Sequence, residues 1–177
     1  MHFFLNKKRL RVKYKKTRKK MHSLIKDDII FNKLIDDEKF ISARLVLTYV
    51  SFNDEVDTLN LIKYCLKIKK KLAVPKCIDN KMVFYYINSL DDLKVGKYNI
   101  LEPITTDKVI DFQYSICVTP GLAFDKFGYR LGYGKGYYDC FFINYEGFKI
   151  GLCYKKCLLK KLYTTNNDIK VDKIITD

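Results

Sequence analysis

The sequence predicts an α/β domain in which helices cover both faces of a mainly parallel β-sheet, giving three layers. Two observations support this class. Short segments rich in β-branched and aromatic residues alternate with segments of helical periodicity, and a glycine-rich segment near residue 130 follows a predicted strand and precedes a predicted helix. The chain has 177 residues, of which 48% are hydrophobic and 31% charged. We therefore expect a single domain over residues 1–177 and exclude a disordered protein.

The first predicted element is an amphipathic helix over residues 7–22. At 100° per residue, its apolar stripe consists of Leu10, Tyr14, Thr17, Met21 and Leu24. Three cations, Lys7, Arg11 and Arg18, fall within 40° of one another beside this stripe and can reach a cleft, whereas Lys8, Lys15, Lys16 and Lys19 lie further towards solvent. This pattern alone is equally compatible with a helix whose basic face is simply solvated.

The remaining elements follow in alternation. We predict a second helix over residues 26–40 and a third, capped by Asp57 or Thr58, whose apolar face carries Leu59, Ile62, Cys65 and Leu66. A short helix is predicted over residues 136–145. Six strands are predicted at residues 44–49, 72–75, 82–87, 114–119, 149–153 and 171–176. Ligands of such parallel sheets bind at the carboxyl ends of the strands.

The positive charge is concentrated at one end of the chain. The net charge is +14, yet residues 1–22 contain ten basic residues and no acidic one, which leaves +4 for the rest. This excess predicts an anionic partner. The sequence has no apolar run of the roughly 20 residues that a membrane helix needs. Its six cysteines form no CxxC pair, which argues against a zinc site or a disulfide framework and favours a reducing cytoplasm.

The strongest chemical signal is the segment Val118–Asp139, which contains five of the eight glycines. Gly132, Gly134 and Gly136 alternate, an arrangement that lets backbone amides approach an oxyanion. Arg130 and Lys135 add positive charge, so the segment is typical of a nucleotide phosphate site, although its spacing matches neither a Walker A loop nor a GxGxxG motif. An ordinary structural turn is the alternative.

Several neighbouring residues have both a functional and a structural interpretation. Asp139, in the first turn of the following helix, is either a magnesium ligand or a complement to the helix dipole. Tyr133, Tyr137 and Tyr138 either stack on a heterocycle or belong to the core. Glu55 either accepts hydrogen bonds from a ring bearing N–H groups or is an ordinary capping residue.

These motifs, in this order, resemble the 5-formyltetrahydrofolate cyclo-ligase family, also called 5,10-methenyltetrahydrofolate synthetases. Lys7, Leu10, Arg11 and Arg18 match the family's N-terminal motif, the stretch LTYVSFNDEVDT matches its substrate segment, and Val74–Lys76 matches its next strand. PGLAFD and RLGYGKGYYD match its signature, and NDIKVDKIITD matches its closing segment. Cys140 departs from the pattern, since a basic residue commonly follows YYD.

The resemblance implies a Rossmann-like fold of the NagB/RpiA/CoA transferase type and an ATP- and Mg²⁺-dependent ring closure. In that reaction the formyl oxygen of 5-formyltetrahydrofolate is phosphorylated, the neighbouring nitrogen attacks the activated carbon, and phosphate leaves with formation of 5,10-methenyltetrahydrofolate and ADP. The implied catalytic residues are Arg130, Lys135 and Tyr138. The implied metal ligands are Asp139 and Asp168. ATP contacts are implied for Lys7, Lys8, Arg9, Leu10, Arg11, Arg130, Leu131, Gly132, Tyr133, Gly134, Lys135, Gly136, Tyr137 and Tyr138, and folate contacts for Val50, Glu55, Tyr133, Gly134, Lys135, Gly136 and Tyr137.

Two other functions are compatible with parts of the sequence. One is a catalytically silent relative that binds nucleotide or folate. The other is a basic nucleic-acid-binding protein, which accounts for the outward lysines but leaves the glycine segment, Asp139 and Glu55 without a role. We expect a monomer in the cytoplasm that acts on a small molecule, 5-formyltetrahydrofolate with or without a polyglutamate tail, and that has no specific nucleic-acid or membrane partner.

Overall fold

A six-stranded sheet forms the centre of the protein. The computed structural model describes residues 2–79, 81–96 and 99–177, with side chains from residue 6 onwards. The strands, in chain order, are β1 (Leu45–Thr48), β2 (Lys71–Ile78), β3 (Lys81–Tyr86), β4 (Leu93–Val95), β5 (Leu101–Pro103), β6 (Ser115–Thr119), β7 (Ala123–Asp125), β8 (Arg130–Leu131), β9 (Phe148–Leu152), β10 (Leu158–Leu159) and β11 (Lys173–Ile175). The helices are α1 (His2–Met21), α2 (Leu24–Ile35), α3 (Glu38–Ser42), α4 (Leu59–Lys67) and α5 (Tyr137–Phe142).

The central sheet has the strand order β11-β9-β6-β1-β2-β3, and only the β2–β3 pair is antiparallel. Every residue of β1 and β6 is buried, as expected for central parallel strands covered on both faces. The predicted α/β class with a mainly parallel sheet is thus confirmed.

Two apolar clusters cover the two faces of the sheet, because alternate residues of a strand point in opposite directions. Val46 packs in the larger cluster with residues of α1, α2, α3 and α4. Leu45 and Leu47 pack in the smaller one with Tyr138 and Phe142 of α5. The result is a helix–sheet–helix arrangement in which α1 and α5 lie on opposite faces.

The predicted helix over residues 26–40 is wrong in one respect, because the structure divides it into α2 and α3. Asp37 is the N-cap of α3, and its carboxylate accepts a hydrogen bond from the Lys39 backbone N–H at 2.9 Å. Aspartate offers the backbone such an alternative to a continuous helix. Leu24, predicted on the apolar stripe of α1, lies instead at the start of α2 with 76% of its surface exposed.

Other boundaries differ by a few residues. Helix α1 begins at His2, before the predicted residue 7, and α5 is shorter than the predicted helix over residues 136–145. Strand β2 continues three residues past Pro75, because Lys76–Ile78 pair with β3. The Asp57 carboxylate supplies the cap of α4, accepting hydrogen bonds from the backbone N–H groups of Leu59 and Asn60 at 3.2 and 3.0 Å. No helix among the described residues is long and apolar enough to span a membrane.

Five short strands were not predicted. Strands β4 and β5 form a hairpin, and β10, β7 and β8 form a separate three-stranded sheet. Each contains only two or three residues, too few for a periodicity to be recognised. The small sheet matters for function because β8 ends at Leu131, directly before the glycine-rich loop.

Candidate functional site

The candidate site lies at the carboxyl ends of the two central strands, as the sequence predicts. Strands β1 and β6 are parallel neighbours in which Thr48 is paired with Val118, so their carboxyl ends coincide. The segment after β1 carries Glu55, and the chain after β6 leads through β7 and β8 into the glycine-rich loop. The two segments meet where the Tyr133 hydroxyl donates to Glu55 Oε1 at 3.2 Å.

Helix α1 contributes three cations to this site, and they are the three that the helical wheel groups together. Lys7 Nζ is 2.7 Å from Asp168 Oδ2, and Arg11 Nε donates to the carbonyl oxygen of Gly132 at 3.0 Å. Arg18, with only 3% of its surface exposed, donates from Nε to Asp54 Oδ2 at 2.9 Å. The three side chains that the helical wheel groups together thus all contact residues from distant parts of the chain, and their role at a ligand site stays a prediction.

The glycine-rich loop takes backbone conformations that other residues rarely adopt. Gly134 has φ +106° and Gly136 has φ +71°. A Cβ atom on Gly134 would stand 3.2 Å from Cζ of Arg11, so this glycine also permits the close approach of α1. Glycine at position 134 therefore serves two purposes: it allows the positive φ of the loop, and it leaves room for the Arg11 guanidinium.

Arg130 and Tyr138, two of the implied catalytic residues, pack against each other. The Arg130 guanidinium lies 4.9 Å from the centre of the Tyr138 ring and donates from Nη2 to Asp139 Oδ2 at 3.0 Å. Arg130 Nε and the Tyr138 hydroxyl are both buried without a hydrogen-bond partner among the described residues. Burial raises the pKa of Tyr138 well above its usual value, so its hydroxyl is neutral. Buried polar atoms are rarely left unbonded, which points to an additional partner at this position.

Lys135, the third implied catalytic residue, is exposed on the glycine-rich loop. Its Nζ lies 5.9 Å from the centre of the Tyr137 ring. A flexible ammonium group on the solvent side of the loop can reach an anion that enters the cleft.

The two carboxylates implied as metal ligands lie on neighbouring segments. Asp139 Oδ1 accepts from the backbone N–H of Ile169 at 3.3 Å, which brings it next to the residue that follows Asp168. Asp168 also accepts hydrogen bonds from the backbone and hydroxyl of Thr165. Burial acts to raise the pKa of Asp168, but its bonds to Lys7 and Thr165 outweigh burial and lower it.

These carboxylates fit a magnesium ion in their chemistry, since Mg²⁺ prefers oxygen ligands and uses one or two carboxylates together with phosphates and water. The described parts of the chain contain no group of three or more His, Cys, Asp or Glu side chains that could hold a metal ion. A magnesium ion at Asp139 and Asp168 would therefore also need phosphate or water ligands.

Glu55 lies at the opposite end of the site, whereas Val50 belongs to the larger apolar cluster and its folate contact stays a prediction. Both are buried, and Glu55 Oε2 accepts a hydrogen bond from the Phe52 backbone N–H at 3.1 Å. Burial raises the pKa of Glu55, while the nearby Arg18 acts to lower it. Tyr133 is 54% exposed, and burial of its hydroxyl together with the charge of Glu55 raises its pKa to about 12.

Not every residue of the implied ATP set faces the cleft. Lys8 and Arg9 are exposed on the outer side of α1. Leu10 and Leu131 pack in or against the larger apolar cluster. These four assignments stay predictions, as does the rest of the ATP set.

Sequence analysis missed Asp54, the partner of Arg18. The only signal for it was the acidic run Asp54-Glu55 in the segment after β1. Nothing in the sequence indicated that Asp54 and Glu55 both face Arg18, because that contact depends on how α1 packs across this segment.

Two surface cavities lie away from this site. One of about 440 Å³ is lined by residues that include Phe127 and Val171, and another of about 390 Å³ by residues that include Lys70 and Asp107. Neither cavity is lined by a residue that the sequence predicts to bind substrate, nucleotide or metal.

Comparison with known proteins identifies the family. A model of the 5-formyltetrahydrofolate cyclo-ligase family matches residues 5–177. The chain is 31% identical over 140 residues to a probable 5-formyltetrahydrofolate cyclo-ligase of Schizosaccharomyces pombe, a match that covers 69% of each protein.

Solved structures agree with this match. The NMR structure of the Aquifex aeolicus 5,10-methenyltetrahydrofolate synthetase superposes with a TM-score of 0.81 at 30% identity, covering 99% of this chain and 90% of that one. A 5,10-methenyltetrahydrofolate synthetase from Mycoplasma pneumoniae, at 24% identity and a TM-score of 0.74 over 96% of this chain and 97% of that one, shares the fold. The resemblance found in the sequence motifs is confirmed: this chain belongs to the 5-formyltetrahydrofolate cyclo-ligase family of enzymes.

Proposed function

We propose that this protein converts 5-formyltetrahydrofolate to 5,10-methenyltetrahydrofolate with hydrolysis of ATP to ADP and phosphate, in the presence of Mg²⁺. One observation supports this most directly. The buried Arg130 Nε and Tyr138 hydroxyl have no partner among the described residues and lie beside a carboxylate suited to a metal ion. A bound triphosphate would satisfy the guanidinium, since arginine forms paired hydrogen bonds with phosphate oxygens.

The nucleotide end of the site is assigned to the glycine-rich loop and the first turns of α1. Arg11 spans both elements through its bond to the Gly132 carbonyl oxygen. Lys7 and Arg11 would contact ATP from the inner face of the helix, together with Arg130 and residues 132–138 of the loop. Phosphoryl transfer depends mainly on positioning and on neutralisation of charge, and these residues supply both.

Asp139 and Asp168 would hold the magnesium ion. When bound, Mg²⁺ neutralises the negative charge of the phosphate oxygens. Each carboxylate is bonded to a cation, Asp139 to Arg130 and Asp168 to Lys7. We infer that both cations turn towards phosphate oxygens when the metal takes their place on the carboxylates.

The folate end is assigned to Val50, Glu55 and Tyr133. The Glu55 carboxylate can accept hydrogen bonds from the N–H groups of the pterin ring. Tyr133, with half of its surface exposed, offers an aromatic face to the ring system. Since Tyr133 belongs to the glycine-rich loop, folate and ATP would meet at this residue.

The proposed reaction is the ring closure of the 5-formyltetrahydrofolate cyclo-ligase family. The γ-phosphoryl group passes to the formyl oxygen, whose carbon becomes electrophilic. The neighbouring folate nitrogen attacks that carbon and phosphate leaves, which closes the ring. Arg130 and Lys135 would stabilise charge on the transferring phosphoryl group, and the neutral hydroxyl of Tyr138 would donate a hydrogen bond.

The experiment is a spectrophotometric assay for the methenyl product with purified protein, ATP, Mg²⁺ and 5-formyltetrahydrofolate. Product formation that requires all three components is the expected result. ATP binding without turnover would favour the catalytically silent relative, and salt-sensitive nucleic-acid binding without ATP binding would overturn the enzyme assignment.

Replacement of the exposed Lys135 by Ala should lower turnover about 10²-fold or more while leaving the melting temperature nearly unchanged. An equal loss of activity and stability would contradict its role.

We also infer that the protein acts as a monomer formed by one domain over residues 1–177, in the cytoplasm, with no nucleic-acid or membrane partner. Four of the six cysteines are buried, as is usual for cysteines that serve as small apolar side chains. Size-exclusion chromatography with light scattering tests the oligomeric state.

A further inference from the structure

We propose that Arg18 is a positioning residue for the folate end of the site: it places a positive charge beside the Glu55 carboxylate and fixes that carboxylate against the glycine-rich loop. This inference rests on the proposed function, in which Glu55 recognises the pterin ring. It assigns to Arg18 a different task from that of Lys7 and Arg11, although the three lie on the same stripe of α1.

All three nitrogen atoms of the Arg18 guanidinium have partners. Nε donates to Asp54 Oδ2 at 2.9 Å, and Nη2 donates to the Tyr133 hydroxyl at 2.5 Å. Nη1 contacts the Gly121 carbonyl oxygen at 3.4 Å and Glu55 Oε1 at 3.6 Å. Arg18 forms a cluster with Asp54, Glu55 and Tyr133. Because its side chain is 3% exposed and bonded in this way, it cannot turn to a triphosphate without breaking this cluster.

The cluster joins three separate parts of the chain. Arg18 belongs to α1, Asp54 and Glu55 to the segment after β1, and Tyr133 to the glycine-rich loop. The Tyr133 hydroxyl receives a hydrogen bond from Arg18 and donates one to Glu55 Oε1 at 3.2 Å. Glu55 therefore has a fixed orientation that depends on Arg18 both directly and through Tyr133.

Electrostatics give Arg18 a second effect. Five charged or titratable groups face Glu55: Arg18, Asp54, Tyr133, Tyr49 and Tyr138. Arg18 is the only cation among them, and both Tyr49 and Tyr138 are neutral because burial raises their pKa well above the usual value. Without Arg18, the nearby Asp54 and the burial of Glu55 would both act to raise the pKa of Glu55 with no cation to oppose them.

The test compares Arg18→Met with the matched control Lys19→Met, which removes the same charge from the next, exposed position of α1. Calorimetric titration should show that Arg18→Met weakens 5-formyltetrahydrofolate binding about tenfold or more at pH 7. Binding of a non-hydrolysable ATP analogue should change less than threefold, and Lys19→Met should alter neither affinity.

A direct measurement of Glu55 distinguishes positioning from a merely structural role. The chain has only four glutamates, so the carboxyl carbons of ¹³C-labelled Glu give few resonances, and the spectrum of Glu55→Gln assigns the one of interest. In the free protein, the pKa of Glu55 should be higher in Arg18→Met than in the wild type. Arg18→Lys, which keeps the charge, should restore most of that shift while binding folate more weakly than the wild type.

Several outcomes overturn the inference. They are an equal loss of ATP and folate affinity in Arg18→Met, and an unchanged pKa of Glu55. If Arg18→Met does not fold, Tyr133→Phe provides the test, since loss of the bridging hydroxyl should also weaken folate binding and raise the pKa of Glu55. A wild-type protein that does not bind folate would instead overturn the proposed function itself, and this inference with it.

Discussion

The two faces of helix α1 carry the same kind of charge but differ in what it contacts. On the inner face, Lys7, Arg11 and Arg18 each bond to a residue from a distant part of the chain. On the outer face, Lys15 and Lys19 are exposed, as are their neighbours Lys8 and Lys16. Ten basic residues in one segment suggest a polyanion partner, yet only the inner cations meet the groups that build a site.

From these contacts we expect the position of a charge on α1 to matter more than the net charge of the helix. An exposed lysine is solvated and screened by salt, and its contribution to stability is small. A buried guanidinium such as Arg18 is costly unless every donor is paired, and here each of its nitrogens has a partner. Changes on the inner face should therefore have large effects, and changes on the outer face small ones.

A large effect on this contrast should come from Gly134→Ala, which disturbs the inner face from the opposite side. Gly134 has φ +106°, and a Cβ there would approach the Arg11 guanidinium to 3.2 Å. Backbone strain of this kind costs about 1–3 kcal/mol, and displacement of Arg11 should lower kcat/KM for ATP about 10- to 100-fold. Initial rates at varied ATP measure this, and activity equal to that of the wild type would contradict the role of the Arg11 contact.

A smaller effect is expected from Lys7→Met. Lys7 forms an ion pair with Asp168 and is proposed to turn to a phosphate oxygen when Mg²⁺ binds that carboxylate. Loss of this phosphate contact should lower kcat/KM by about tenfold, mainly through weaker binding of ATP with Mg²⁺. A double-mutant cycle with Asp168→Asn checks the coupling. Strictly additive effects of the two substitutions would show that the pair does not act together.

The stability of the protein should depend on pH through Asp27, a buried residue of α2 that belongs to neither face of α1. Asp27 is buried and accepts a hydrogen bond from Tyr154 at 2.7 Å, and burial raises its pKa. A carboxyl group whose pKa is raised on folding stabilises the folded state at low pH, and this contribution is lost as the pH rises through the folded-state pKa. Asp27→Asn should therefore gain stability relative to the wild type as the pH rises from 4 to 7.

Urea denaturation of Asp27→Asn and the wild type at several pH values measures that difference. A difference that does not change with pH would show that Asp27 is ionised equally in the folded and unfolded states.

The smallest effect should come from the outer face. Replacement of Lys15, Lys16 and Lys19 together by Ala removes three charges but no contact with the site, and alanine favours a helix. We expect the free energy of unfolding to change by less than about 0.5 kcal/mol per residue and kcat/KM to change less than about twofold. A tenfold loss of activity in this variant would mean that the net charge of α1 matters in its own right.

Local patterns predicted much of the fold and part of the site. Strands β1 and β6 were recognisable because they are continuous apolar runs, and the inner cations of α1 because helical geometry fixes their spacing. The break at Asp37 and the two-residue strand β8 were missed because the first is decided by a single cap and the second by pairing with a distant segment. The same limit applies to Asp54, since its pairing with Arg18 exists only after α1 packs onto the sheet.

The central claim, that face and not charge decides function on α1, is tested most directly by a matched pair of variants. Arg11→Met and Lys15→Met each remove one charge, one turn apart on the same helix, the first from the inner face and the second from the outer. Initial rates of methenyl-folate formation at varied ATP should fall about 10²-fold or more in kcat/KM for Arg11→Met and change less than about twofold for Lys15→Met. Equal losses in the two variants, or wild-type rates in both, would contradict the account.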